Sequence, residues 1–132
     1  GAPGFNGVAL FHKSITSEAR LLTAPLAGEL ASSSHSNGVM DRASLAALGG
    51  RRGLDLARLG ISIVAMELMV AAQAAELRGR APLGTVTGQL FAFARQAVPF
   101  AGAGHRPPNV QPLLEQLENN RHVVDGMMAA NN

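Results

Sequence analysis

The sequence contains no cysteine, tryptophan or tyrosine. Without cysteine, the chain has no disulfide bonds, no thiolate metal ligands and no cysteine nucleophile. Aromatic residues make up 4% of the chain and all are phenylalanine, so a folded core has to consist mainly of aliphatic side chains and methionine. Such a core suits packed helices better than a β-sandwich, which favours β-branched and aromatic residues. The composition therefore predicts an all-α fold, and 132 residues are enough for one domain.

Basic residues are few and scattered. The formal net charge is +2, and Arg51-Arg52 is the one adjacent pair of basic residues. A nucleic-acid surface usually has a dense basic stripe, often with aromatic residues for stacking, and the sequence has neither. It also lacks an HExxH-type histidine pair, a GxGxxG phosphate loop and a GxSxG elbow. We therefore expect no nucleic-acid partner, no metal site and no catalytic residue in this chain.

One long apolar run, over 59–75, has to be tested as a membrane span. It is slightly shorter than the roughly 20 residues of a typical span, and it carries Glu67 near its centre and Gln73 beyond. A carboxylate in the middle of a bilayer is costly, so we predict a helix buried in protein and no membrane partner. The first seven residues, GAPGFNG, lack the basic start and apolar core of a secretory signal. The expected localisation is cytoplasmic.

Apolar residues recur at spacings of three and four in several segments, which is typical of helices. Pro25 ends the first segment, because the residue before a proline is pushed out of the helical region. The small and polar residues before Gly38 indicate a loop. Thr85 or Thr87 is expected to cap the third helix and Asn109 the fourth. We predict a single domain over 1–132, with helices over about 6–23, 43–77, 86–97 and 110–128 and a loop over 31–41.

The predicted long helix is nearly apolar on every side between residues 54 and 75. A helix of this kind has to be surrounded by other helices, and a chain of this length has few of them. We therefore predict that partner chains complete the bundle. Glu67 in this helix has two interpretations: an acid or base that transfers protons, or a structural partner of a neighbouring helix or of an arginine at an oligomer interface. We favour the structural interpretation.

Four segments, taken in order, carry a more specific pattern. GFNGVALFHKSITSEARLLTAP (4–25) contains a Ser-Glu pair and ends in proline, and SSSHSNGVMDRASLAALGGRR (32–52) leads from a polar loop into a paired arginine. IVAMELMVAAQAAELRG (63–79) and PLGTVTGQLFAFARQAVPF (82–100) follow. Together they resemble the C-terminal part of the aromatic amino acid ammonia-lyase and aminomutase family, which includes histidine and phenylalanine ammonia-lyases. The positions in register with that family include Ser17, Glu18, Pro25, Glu67, Gln73 and Arg95.

The resemblance implies a mainly helical fold packed into a tetramer core, with active sites shared among subunits. Family members use a methylidene-imidazolone electrophile made from an Ala-Ser-Gly tripeptide, and a tyrosine acts as the base. This chain has no Ala-Ser-Gly and no tyrosine. The resemblance therefore implies that the cofactor lies in a partner, a longer lyase-like chain carrying Ala-Ser-Gly, in a hetero-oligomer of tetrameric type. The implied substrate is an amino acid or an aminoacyl residue.

The resemblance also points to one loop, over 36–42, that reaches the substrate pocket. The pocket candidates are Asn37, Met40, Asp41 and Arg42. Met40 stands where the family usually has Glu or Gln, Asp41 matches, and Arg42 stands where His or Val is common. Because methionine cannot bond or polarise an amino group, we expect altered substrate recognition or an altered reaction. A purely structural interpretation of this loop is equally open.

Three functions are compatible with these observations. The first is the C-terminal subunit of a split ammonia-lyase or aminomutase-like enzyme, inactive without its partner. The second is a non-catalytic structural or regulatory module that oligomerises through its helices. The third is a fragment of a full-length lyase.

Overall fold

The computed structural model describes residues 4–25, 45–79, 82–120 and 126. Within these residues the secondary structure is helical and contains no strand, so the predicted all-α fold is confirmed. The helices are α1 (Asn6–Thr23), α2 (Leu45–Leu77), α3 (Thr85–Ala97) and α4 (Gln111–Asn119). No helix among the described residues combines the length and the apolarity that crossing a membrane requires.

The helices α1 and α2 lie side by side and run antiparallel. Near the start of α1, His12 contacts Glu67 in the second half of α2. Near the end of α1, the carbonyl of Leu21 accepts a hydrogen bond from Arg52 in the first half of α2. The inward side of α1 carries the buried Ile15.

The C-terminal end of α1 is held by an arginine of α2. Ala24 is extended (φ −67°, ψ 142°), as its position before Pro25 predicts. The last carbonyls of a helix have no partner within the helix. Arg52 Nη2 supplies one by donating to the carbonyl oxygens of Leu21 at 2.8 Å and Ala24 at 3.2 Å. Arg52, the second arginine of the Arg51-Arg52 pair, therefore links the C-terminal end of α1 to α2.

The core lies where α2, α3 and α4 meet. Its buried residues come from all three helices and from the segment after α3: Ala65, Met69, Ala72, Phe93, Ala94, Val98 and Leu113. Other sides of α2 are open, with Val64 51% exposed and Leu77 70% exposed. The prediction for 59–75 is a helix surrounded by other helices, and within this chain α1, α3 and α4 are too few to surround α2. Its completion by partner chains stays a prediction.

Glycine ends α2 and precedes α3. Gly79 has φ +82°, a conformation that glycine adopts without strain, and its N–H donates to the carbonyl of Glu76 at 3.0 Å. The N-cap of α3 is Gly84, which has no side chain to make a cap hydrogen bond. The expectation that Thr85 or Thr87 caps this helix is therefore wrong, since Thr85 is already its first residue.

The fourth helix is shorter than predicted. Its start is stabilised by Asn109, whose Oδ1 accepts a hydrogen bond from the N–H of Gln111 at 3.0 Å, so the side chain acts as predicted although the N-cap position is Val110. The helix ends at Asn119, and Asn120 departs from helical geometry (φ −118°, ψ 32°). The prediction of an unbroken helix over 110–128 is therefore wrong at Asn120. The Asn120 side-chain amide itself donates to the carbonyl of Gln116, a local bond that competes with helix continuation.

Candidate functional site

The four residues predicted from the sequence to line a substrate pocket are not placed by the structure. Asn37, Met40, Asp41 and Arg42 lie outside the described residues. The described chain stops at Pro25 before this loop and resumes at Leu45 after it. The prediction that this loop lines a site stays a prediction.

Among the described residues, an open groove of about 600 Å³ lies between α1 and α2. Its walls are largely apolar and include Phe5, Val8, Met66 and Val70. Its size falls within the range of small-molecule sites, which combine apolar walls with a few convergent polar groups. The groove lies beside the half of α2 that follows residue 65, and its wall residues Phe5 and Val8 also pack against the core.

The polar residues that line this groove include a pair between the two helices. His12 Nε2 lies 3.2 Å from Glu67 Oε1, and the two side chains are 31% and 64% exposed. Glu67 therefore contacts a neighbouring helix, as the structural interpretation predicted, although its partner is a histidine of the same chain and not an arginine. Exposed pairs of this kind contribute little to stability. The His12–Glu67 pair therefore affects the orientation of α1 on α2 more than the stability of their packing.

A second polar cluster is buried, and sequence reasoning did not identify it as a site. Arg95 Nη2 of α3 lies 3.0 Å from Glu76 Oε2 of α2, with only 13% and 11% of the two side chains exposed. The guanidinium carbon lies 5.7 Å from the ring centroid of Phe91 and 5.8 Å from that of Phe100. A buried charge is tolerated only when it is paired or hydrogen-bonded, and here each ion meets that condition through the other.

Gln73 extends this cluster to the segment after α3. Its Nε2 donates to the carbonyl of Ala101 at 2.8 Å, and its Oε1 accepts from the N–H of the same residue at 3.1 Å. Arg95 Nη1 donates to the carbonyl of Val98 at 3.2 Å. Both ends of the turn that follows α3 are thus bound to side chains of α2 and α3. The arrangement fixes backbone and leaves no group positioned as an acid, base or nucleophile.

One sequence signal for this cluster was present. Gln73 and Glu76 are three residues apart in an apolar helix, which places them on the same face, and both Gln73 and Arg95 are in register with the resembled family. What the sequence did not supply was the turn at Gly79, which folds α3 back so that Arg95 meets that face. Among the described residues, no group of histidine, aspartate and glutamate side chains is arranged to hold a metal ion.

These observations define a class of protein: a helical unit with a small core, an uncovered apolar side, and no catalytic constellation among the residues that the structure describes. The family model for aromatic amino acid lyases matches residues 2–96. The chain belongs to the aromatic amino acid lyase family. The match includes α1, α2 and all but the last residue of α3, so the family resemblance stated from the sequence is confirmed. Neither the curated proteins nor the solved structures gave a match.

Family membership supports a lyase-like role, and it raises the question of the electrophile. The methylidene-imidazolone group is built from an Ala-Ser-Gly tripeptide, and no such tripeptide occurs in the 132 residues. The chain also has no tyrosine to act as the base. The residues of this chain do not fit the group, and no chemical step is assigned to them.

Proposed function

We propose that this chain is the C-terminal subunit of a split enzyme of the ammonia-lyase or aminomutase type. The observation that carries the proposal is the family match over 2–96 in a chain without Ala-Ser-Gly and without tyrosine. A family member needs both for its chemistry. The subunit contributes helical core, and a longer lyase-like chain contributes the electrophile and the base.

Exposed apolar side chains support a partner of this kind. On α1, Leu10 is 69% exposed, Phe11 57% and Leu21 71%. Several large apolar side chains exposed on one helix are consistent with a protein interface. In the proposed hetero-oligomer, of tetrameric type, helices of the longer chain cover this side of α1. The substrate class that goes with the family is an amino acid or an aminoacyl residue, and the loop over 36–42 is the part of this chain proposed to reach it.

The proposal is tested by co-purification followed by an activity assay. The chain is expected to co-purify with a longer protein that carries Ala-Ser-Gly, and that protein is expected to release or move an amino group only when this chain is present. A partner that is fully folded and active alone would contradict the proposal.

A matched pair of variants tests the interface. Leu10→Glu places a charge on the exposed apolar side of α1 and is expected to abolish co-purification, since burying an unpaired carboxylate is costly. Thr87→Glu places the same charge on an exposed polar position near the start of α3, where a negative charge suits the helix, and is expected to leave the complex intact. Equal effects of the two changes would argue against an apolar interface on α1.

A second candidate function is a non-catalytic structural or regulatory module, and Met40 favours it. Methionine at a position where the family usually has Glu or Gln removes a group that bonds the substrate amine. For the split enzyme, Met40→Glu is expected to change the rate or the substrate preference of the assembled complex. For the module, the same change leaves every measured turnover unaltered. The third possibility, a fragment of a full-length lyase, is tested by the intact mass of the native gene product.

A further inference from the structure

A second open pocket, of about 480 Å³, lies where the first half of α1 meets α2 and the segment that leads into α4. Its volume is within the range of small-molecule sites. The walls are mainly apolar and come from all three parts of the chain: Val8, Phe11, Met66, Met69, Pro107 and Pro108. The third wall, residues 106–110, follows the end of the family match at residue 96. The pocket is therefore not formed by the matched segment alone.

The third wall of this pocket is fixed at both ends. Before it, Gly104 has φ +80°, and the N–H of His105 donates to the carbonyl of Gly102 at 3.1 Å, which closes a turn. At its end, the carbonyl of Val110 accepts a hydrogen bond from the N–H of Leu113 at 3.0 Å. Between these points stand two adjacent prolines, whose rings restrict the backbone. A wall that is ordered before a ligand arrives lowers the entropic cost of binding.

The wall formed by α1 leaves room for a ligand. Gly7 lies in the first turn of α1 and lines the pocket. A Cβ atom added at Gly7 would meet nothing within 4 Å, so the described side chains do not fill the space beside it. A large side chain at this position would occupy that space.

Arg106 supplies the charge of this pocket. It lines the pocket and is exposed, and the ion pairs of the described residues are formed by His12, Arg58 and Arg95 and not by Arg106. No aspartate or glutamate is among the described residues that line the pocket. A guanidinium group binds a carboxylate through two parallel hydrogen bonds, whereas an ammonium group would find no acid here. The charge therefore favours a ligand with a single negative group.

We propose that this pocket binds a small carboxylate with an apolar body and no ammonium group. Arg106 binds the carboxylate, and the apolar body lies against Met66 and Met69, whose side chains adapt to the shape of a ligand. An amino acid fits poorly, because its ammonium group would lose water without gaining a partner. The ligand class thus differs from the substrate class of the proposed function, and the proposal does not depend on that function.

NMR of the methionine methyl groups tests the site in the full chain, with any protein that co-purifies kept in place. Octanoate is the probe, and Met66→Leu and Met69→Leu variants assign the two signals. Both signals are expected to shift saturably with a Kd of about 1 mM or tighter, from the affinity that small ligands reach per atom. Met69 lines this pocket and not the groove between α1 and α2, so its signal distinguishes the two.

Two analogues of the probe test the ligand class. Octanol has the same apolar chain without the charge, and 2-aminooctanoate adds an ammonium group to it. Each is expected to bind about fivefold or more weakly than octanoate, because one loses the bond to Arg106 and the other buries an unpaired charge. Octanol that binds as tightly as octanoate would show non-specific apolar binding only. Equal binding of 2-aminooctanoate would contradict the proposed class.

Two matched pairs of variants test the residues. Arg106→Met is expected to weaken octanoate binding about fivefold or more. Lys13→Met is its control, since Lys13 is exposed and lines the groove between α1 and α2 instead, and it is expected to change nothing. Gly7→Leu fills the pocket and is expected to abolish the Met69 shift. Gly49→Leu, at an exposed glycine of α2 with open space around it, is expected to keep the shift.

Three results would overturn the proposal: no saturable shift of the Met69 signal, equal effects of Arg106→Met and Lys13→Met, or an unchanged shift with Gly7→Leu. Circular dichroism checks that every variant remains helical. Co-purification of a lyase-like chain is measured in the same samples. If octanoate does not bind while that chain is present, the ligand site is rejected and the proposed function is retained. If octanoate binds as expected and no lyase-like chain is present, the outcome is reversed.

Discussion

Arg95 connects three parts of the molecule. It is paired with Glu76 of α2, it donates to the carbonyl of Val98, and it lies between the rings of Phe91 and Phe100. Planar guanidinium groups are suited to this combination of stacking and hydrogen bonding in a way that a lysine is not. The turn after α3 is therefore held by side chains, and its position depends on a charge.

Replacing Arg95 by methionine is expected to lower the free energy of unfolding by about 3–5 kcal/mol, because the buried Glu76 carboxylate loses its ion pair with Arg95. Chemical denaturation measures the change. Arg58→Met is the control, since Arg58 pairs with Asp55 at 3.4 Å in an exposed pair, and its effect is expected to be within about 0.5 kcal/mol. If the two substitutions cost the same, the buried pair does not hold the turn.

Arg52 provides a second test at this scale. Its two bonds to the end of α1 predict that Arg52→Leu speeds hydrogen exchange of the last α1 amides several-fold, since a helix end without partners frays. Exchange followed by NMR or mass spectrometry measures this. The same change at Arg51, which is exposed, leaves the end of α1 unaltered. Protection at this end that is independent of Arg52 would show that packing alone holds it.

The side-chain partnerships were only partly predictable from the sequence. Gln73 and Arg95 fell in register with the family, but the hydrogen bond that Arg95 Nη2 donates to Gln73 Oε1 at 3.4 Å spans 22 positions along the chain and depends on the turn at Gly79. The sequence predicted that Glu67 contacts a neighbouring helix, but it did not predict His12 as the partner. Periodicity specifies which side of a helix is apolar, whereas the partner of a polar group depends on how separate helices cross.

At the scale of the helices, apolar spacing and proline predicted more than capping rules did. Pro25 ends α1 through its effect on Ala24, as expected. The cap of α3 is a glycine, because Gly84 lies at the extended position that the predicted threonines were expected to occupy. The end of α4 depends on Asn120, whose side chain bonds its own helix. Local hydrogen bonds of this kind are difficult to predict from a sequence, although they determine where a helix begins or ends.

Alanine substitutions of two glycines, one in α2 and one after it, are expected to change the free energy of unfolding in opposite directions. Gly49 lies in the helix with open space around its Cα, so Gly49→Ala is expected to raise the free energy of unfolding by about 0.5–1 kcal/mol. Gly79 has φ +82°, so Gly79→Ala is expected to lower it by about 1 kcal/mol or more. Thermal unfolding of both variants measures the difference. Stabilisation by Gly79→Ala would contradict the assigned end of α2.

For the whole molecule, the fold class followed from composition, and the family followed from four short segments in order. The candidate pocket loop followed from the resemblance alone, and its residues lie outside those that the structure describes. Chemistry could not be predicted from this chain because the groups that perform it in the family, the electrophile and the tyrosine, are absent from its sequence. Exposed apolar side chains on α1 and α2 support the proposed partner chain.

The central claim is that this chain is one piece of a larger helical assembly. Native mass spectrometry of the protein isolated from its own cells tests it most directly. We expect a complex well above the 13.6 kDa of the single chain, containing a lyase-family chain with Ala-Ser-Gly. A stable, folded monomer of 13.6 kDa would contradict the account.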